Sequence, residues 1–410
     1  MPLFRSFFLG GFECSNHRRH RDHQRLDLIA STHHDALVRR DYERLHEVGI
    51  DAARDGVPWP QVDAGGGRYD WSRVAPMLRA ARETRTQVIW DLLHFGFPDE
   101  VDPFTAGFVE RFRRYARAFA RLLAGETDET AFVAPVNEIS FLSYAGGDAG
   151  FFNPFARQRG DELKMQLVRA CLAATAELRA AIPGVRLVQP EPIIDILADP
   201  TRPQDRLVAE NYRQSQFAAW DMIAGRRNPE LGGSEDALDV MGLNYYVQNQ
   251  WIHNGAVLVP SHPQHLPVRY MVREVWERYR RPIFIAETGI EGDTRPEWLR
   301  YIAGEGRAAI RLGVPLEGIC WYPIVNHPGW EDDRHCPNGL WDYPDARGDR
   351  EVFAPLAAEL ALQQRIFAEP PDAGEGEGTA GTLPPAALDQ AARELDALTS
   401  VSRQDAAEKG

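Results

Sequence analysis

The sequence predicts an α/β protein, a (β/α)8 TIM barrel forming one domain over residues 1–368, followed by a disordered tail over residues 369–410. Three observations carry that expectation. Eight apolar runs of strand length alternate with amphipathic stretches of helix length, as repeated βα units around a parallel sheet require. Eight such runs suit a closed barrel better than an open doubly wound sheet, and no GxGxxG follows the first run to mark a dinucleotide site. The third observation is the set of polar residues at the C-terminal ends of those runs, where the βα loops of a barrel gather.

In chain order the strand candidates are residues 6–14, 52–57, 87–93, 131–136, 186–190, 240–244, 282–286 and 318–322. Between the third and fourth, residues 108–123 repeat Phe108, Phe112, Tyr115, Phe119 and Leu122 at spacings of three and four, the apolar face of a helix. Residues 163–181, 297–312 and 352–367 behave similarly. At 410 residues the chain is long for one domain, yet α/β barrels reach ~250 residues or more as single units. Beyond Glu369 the composition turns to Pro, Gly, Ala and Glu, which cannot bury enough apolar surface to offset its ordering entropy. Residues 386–398 within that tail carry a modest helical pattern.

Composition limits the function classes. With 44% hydrophobic and 26% charged residues the chain is globular, and a net charge of −14 argues against a nucleic-acid surface, which needs clustered Lys and Arg. Four cysteines, Cys14, Cys171, Cys320 and Cys336, lack metal-ligand or staple spacing and read as reduced, mostly buried thiols. No secretory leader and no apolar span of ~18 residues is present, so the expectation is a soluble cytoplasmic protein that neither crosses nor binds a membrane. Without an HxH at the first strand end or an HExxH helix, no metal and no cofactor is implied.

The strand ends hold the chemistry. Arg54 lies in the second run, His94 ends the third, and Asn137 and Glu138 close the fourth. Asn244 and Tyr246 end the sixth, Glu287 the seventh and Trp321 the eighth. In a barrel, carboxylates on strands four and seven face each other across the mouth. Cleaving a glycosidic bond needs one carboxyl to protonate the leaving oxygen and one to attack the anomeric carbon, and a separation of ~5 Å gives retention of configuration. Glu138 is expected to be the acid/base and Glu287 the nucleophile. Arg54 is the natural counter-charge for Glu287, a phenol at Tyr246 favours its ionised form, and Asn137 suits a sugar 2-hydroxyl.

At these positions the sequence resembles the glycoside hydrolases of clan A, most closely the family 1 β-glycosidases, over about residues 3–367. FLGGFECS at 8–15 resembles the first-strand FLWG…ATS, and ARDGVPW at 53–59 the second-strand YRFSISW. PVNEI at 135–139 is similar to the acid/base motif TFNEP, IAETG at 285–289 to the nucleophile motif ITENG, and GLNYY at 242–246 to the sixth-strand motif. His94 followed by Pro98 resembles the third-strand YHWDLP. The resemblance implies a retaining β-glycoside hydrolase acting on a small-molecule glycoside or oligosaccharide, with both glutamates carried over.

Departures gather where the outer sugar should be held. The family's sugar-binding Gln after the first strand falls near Arg18, and Pro328 stands where a Glu should follow the eighth-strand Trp. Trp321 is expected to stack on a sugar ring and Trp330 to supply the second indole, with Glu331 and Asp332 as candidates to replace the Glu. The first loop packs four Arg and three His into the nine residues 17–25, which suggests either contact with an anionic glycoside or ordinary pairing with nearby acids. Two further readings share the fold: a catalytically silent carbohydrate-binding barrel, and a transglycosylase using the same covalent intermediate.

Overall fold

The computed structural model describes residues 2–127 and 129–369. Eight parallel strands close into a barrel: β1 Phe8–Gly11, β2 Ala52–Gly56, β3 Gln87–Asp91, β4 Phe132–Ala134, β5 Arg186–Pro192, β6 Val240–Asn244, β7 Ile283–Thr288 and β8 Leu316–Trp321. β1 pairs with β2 on one side and with β8 on the other, which seals the sheet. All eight runs read from the sequence coincide with these strands, within a few residues at each end. Residues 369–410, read as a disordered tail, and the helical pattern at 386–398 lie outside the described residues from position 370 on.

Helices between the strands form the outer layer: α1 His34–Glu47, α2 Val74–Thr84, α3 Ala106–Glu126, α4 Gly160–Ala181, α5 Arg206–Gln214, α6 Val268–Tyr279, α7 Arg295–Arg311 and α8 Ala354–Ala368. α3 shows why the sequence folds this way. Phe108, Phe112, Tyr115, Phe119 and Leu123 are all buried on one face, and Tyr115 stacks on Trp59 with ring centroids 5.5 Å apart. No helix among the described residues is long and apolar enough to cross a membrane.

Strand alternation divides the core in two. Leu9, Ala52, Ile89, Phe132, Ala134, Val188, Val240, Phe284, Ala286, Cys320 and Tyr322 fill the barrel interior, with Phe4 among them. The opposite faces of the strands pack against the helices in a larger cluster. This period of two decides which polar residues can reach the barrel mouth. The four cysteines are free and buried, as the sequence suggested.

Candidate active site

Counting in steps of two from the interior apolar residues gives the inward polar set. Ala52 leads to Arg54, Ile89 to Asp91, and Val240 to Asn244. Glu287 needs a further device, because Ala286 already faces inward and simple alternation would send its neighbour to the helix layer. The register between β6 and β7 shifts there, from Leu243 opposite Ile285 to Asn244 opposite Glu287, and this irregularity brings the carboxylate round to the mouth. Glu138 sits just past β4 in the left-handed region, at φ 46°, a conformation costly for a residue with a Cβ. Its backbone N–H donates to the Pro190 carbonyl, and the Ser140 N–H donates to Glu191 at 3.0 Å, so β5 holds the turn.

One guanidinium organises the floor. Arg54, fully buried, donates through Nη1 to Glu287 Oε1 at 2.9 Å and through Nη2 to Asp91 Oδ2 at 2.5 Å and Asn137 Oδ1 at 3.0 Å. Tyr246 donates to Glu287 Oε2 at 2.9 Å, so both oxygens of that carboxylate carry a donor. Across from it, Glu138 Oε1 accepts from the Asn244 amide at 2.8 Å. Since Asn137 Oδ1 faces Arg54, its amide nitrogen faces His94 Nε2 at 3.2 Å, and His94 Nδ1 meets Asp91 Oδ2 at 3.1 Å. An amide can only donate, so Nε2 accepts and His94 is the neutral Nδ1–H tautomer. Nearby carboxylates raise its pKa against the effect of burial, but a proton on Nε2 would point at an N–H.

The two glutamates differ in electrostatic environment. Burial raises the pKa of both. For Glu138 the negative charge of Glu287 adds to that rise, and only the Asn244 amide opposes it strongly. For Glu287 the Arg54 guanidinium is the main opposing influence. Glu138 therefore retains its proton to higher pH than Glu287. Burial, then Glu287, lifts Tyr246 well above an ordinary phenol, which keeps it a donor.

No family model and no curated relative matches the chain by sequence. Solved structures match closely in shape. A family 1 β-glucosidase from Thermotoga maritima superposes with a TM-score of 0.67 at 16% identity, covering 82% of this chain and 87% of that one. The β-glycosidase of Thermosphaera aggregans gives 0.70 at 14%, covering 89% and 97%, and the AHE enzyme of Alicyclobacillus herbarius 0.71 at 16%, covering 90% and 99%. The fold is that of the family 1 β-glucosidases.

Within this family 1 fold several sequence expectations are corrected. Trp321 was expected to stack on sugar from the end of β8, but it packs in the outer cluster and its indole N–H donates to the Asn338 carbonyl at 2.9 Å. The inward aromatic ring is Tyr322, which lies parallel to His94 at 5.9 Å and beside the Arg54 guanidinium at 5.4 Å. The reason is alternation: Cys320 faces in, so Trp321 faces out and Tyr322 in. Asn137 is wholly buried, with its oxygen on Arg54 and one amide hydrogen on His94, so only its second amide hydrogen is left for a 2-hydroxyl.

Arg18 does not reach the floor of the site. It pairs with Asp99, as Arg25 does, while Arg19 bonds Asp22 and Asp333 and Arg21 bonds Asp333. The basic first loop is thus neutralised by carboxylates, and the expectation of an anionic substrate there loses its support. Glu331 accepts from the backbone N–H groups of His20 and Arg21, and Asp332 pairs with Arg334, so neither replaces the missing outer carboxylate. Trp330 is half-buried against His17, with ring centroids 4.8 Å apart.

Asp91, Tyr322, Glu191 and Glu13 also line or support the site and are not among the residues expected from the sequence. Asp91 lay inside a predicted strand two positions from Ile89, and Glu13 two positions beyond Gly11, so the period of two was the available signal. Cys14, Asp91 and His94 bring ligand atoms within 4.8 Å of one another. They do not suit a cation: Asp91 already holds the Arg54 guanidinium, and burial lifts the Cys14 thiol far above its ordinary pKa.

Proposed function

We propose that the chain is a retaining β-glycoside hydrolase, with Glu287 as nucleophile and Glu138 as acid/base. The observation that carries this reading is the asymmetry of the pair: Glu287 has a donor on each oxygen, whereas Glu138 has one amide. Glu287 attacks the anomeric carbon as the bond to the leaving oxygen breaks, and Glu138 gives that oxygen its proton. Asn244 occupies Glu138 Oε1, so Oε2 carries the proton. In the second step Glu138, now ionised, takes a proton from water as the water displaces Glu287. Arg54 and Tyr246 stabilise the carboxylate that leaves.

The fold likeness supports this reading, since enzymes of the same architecture include β-glucosidases solved with glucoimidazole and deoxynojirimycin. A panel of nitrophenyl β-glycosides, with Glu287→Ala as control, tests it. Release of nitrophenol by the wild type alone supports a hydrolase and identifies its sugar. Silence across neutral, amino and acidic sugars rejects the reading.

A further inference from the structure

One carboxylate at the mouth has no part in the catalytic arrangement. Glu13 follows β1, and continuing the inward series from Leu9 through Gly11 brings its side chain to the interior side. At Gly11 the inward direction is marked by the Tyr322 ring, since a Cβ there would lie 2.0 Å from it. Glu13 is only 8% exposed. Its Oε1 accepts from the Ser15 N–H at 2.9 Å, while Oε2 has no partner and the carboxylate pairs with no cation among the described residues. Its charge acts on Glu287, His94 and Tyr246, which places it within electrostatic reach of the dyad.

The charges around it do not balance. Arg54 is the one cation shared by Asp91 and Glu287, His94 is held neutral by its hydrogen-bond pattern, and His17 is pulled down to about 3, mainly by burial. Glu13 is left in excess. Asn244 Oδ1 and Asp91 Oδ1 at the same mouth are also buried acceptors without a donor, while Arg54 Nε is a buried donor without an acceptor. Buried acceptors and an unpaired carboxylate are costly, and a ligand that brings donors and a positive charge removes that cost.

We propose that Glu13 makes this a site for amino glycosides, its carboxylate pairing with a protonated amine on the sugar. The proposal rests on the glycoside-binding reading of the mouth. A hydroxyl offers a hydrogen bond alone, whereas an ammonium offers three donors and the missing charge. A uronic acid adds a repelling carboxylate.

Titration calorimetry with glucose, the 2-, 3-, 4- and 6-amino-deoxyglucoses, N-acetylglucosamine and glucuronate tests this without needing turnover. At least one amino sugar should bind about tenfold or more tighter than glucose, equivalent to ~1.4 kcal/mol. N-acetylglucosamine, whose nitrogen is uncharged, should gain nothing, and glucuronate should bind worst. In Glu13→Gln the amine advantage should disappear. If no amino sugar exceeds glucose, or if the advantage survives in Glu13→Gln, the proposal is overturned. Should that variant fail to fold, the wild-type advantage must still vanish as pH rises and the amine loses its proton. Glu13-dependent amine binding without hydrolysis of any glycoside would reject the hydrolase and keep this inference. Hydrolysis of neutral glycosides without an amine advantage would do the reverse.

Discussion

Arg54 on the second strand reaches across the barrel to Glu287 on the seventh, with Nη1 2.9 Å from Oε1. The same guanidinium holds Asp91, so a single buried cation supports two buried carboxylates. Its loss leaves both uncompensated.

Arg54→Met is therefore expected to lower stability by roughly 3–5 kcal/mol, the cost of breaking a buried pair from one side. Arg54→Lys should also fail, because an ammonium cannot serve Glu287, Asp91 and Asn137 in one plane. Urea unfolding of both variants beside the wild type checks this. A change within 1 kcal/mol for Arg54→Met contradicts it.

Tyr246→Phe keeps the ring and removes the donor on Glu287 Oε2. The phenol favours the charged carboxylate, so its removal raises the Glu287 pKa. Activity is lost as pH falls and Glu287 takes a proton, so the acidic limb of kcat/KM should move to higher pH. The rate at the optimum should drop about 10- to 100-fold, as expected for a hydrogen bond to a charge worth ~1.5–3 kcal/mol. An unshifted limb would show that Tyr246 does not act on the nucleophile.

Glu191 is buried beside the Glu138 turn, and burial pushes its pKa up to about 7. A carboxyl raised on folding binds more protons in the native than in the unfolded chain. Its contribution is complete below the ordinary carboxyl range and is lost as pH rises towards 7. Glu191→Gln keeps an acceptor for the Ser140 N–H and carries no charge. Relative to the wild type it should gain stability between pH 5 and pH 8, by up to ~3 kcal/mol. Denaturant melts of the two proteins at both pH values read that gain directly, and a constant difference rejects it.

Gly11→Ala places a methyl into the Tyr322 ring, a clash that the rigid strand pair cannot relieve. Overpacking of this kind costs about 1–3 kcal/mol. Since Tyr322 lies against both His94 and Arg54, activity should fall with stability. Melting temperature and kcat measured together test the link.

The barrel was legible in the sequence because each strand is an uninterrupted apolar run and each helix repeats at three and four. The polar floor was legible in part, since Arg54, Glu138, Asn244, Tyr246 and Glu287 lie where motifs and strand ends put them. Trp321 was not legible as an outward residue from its place at a strand end, because alternation decides between it and Tyr322. The place of Arg18 was hidden for a different reason. A loop's basic charge says nothing of its partners, and Asp99 comes from another loop 81 residues away. Glu287 shows the limit of alternation itself: its inward position depends on a register shift between neighbouring strands that no pattern within its own strand reveals.

The central claim is a covalent bond at Glu287. The most direct measurement is peptide mass spectrometry after incubation with the 2-deoxy-2-fluoro analogue of whichever glycoside the protein turns over, because the fluorine slows release of the intermediate. The account predicts a single added sugar on the peptide carrying Glu287, absent in Glu287→Ala. An adduct on Glu138 or Glu13, or turnover of the parent glycoside with inverted product and no adduct, would contradict it.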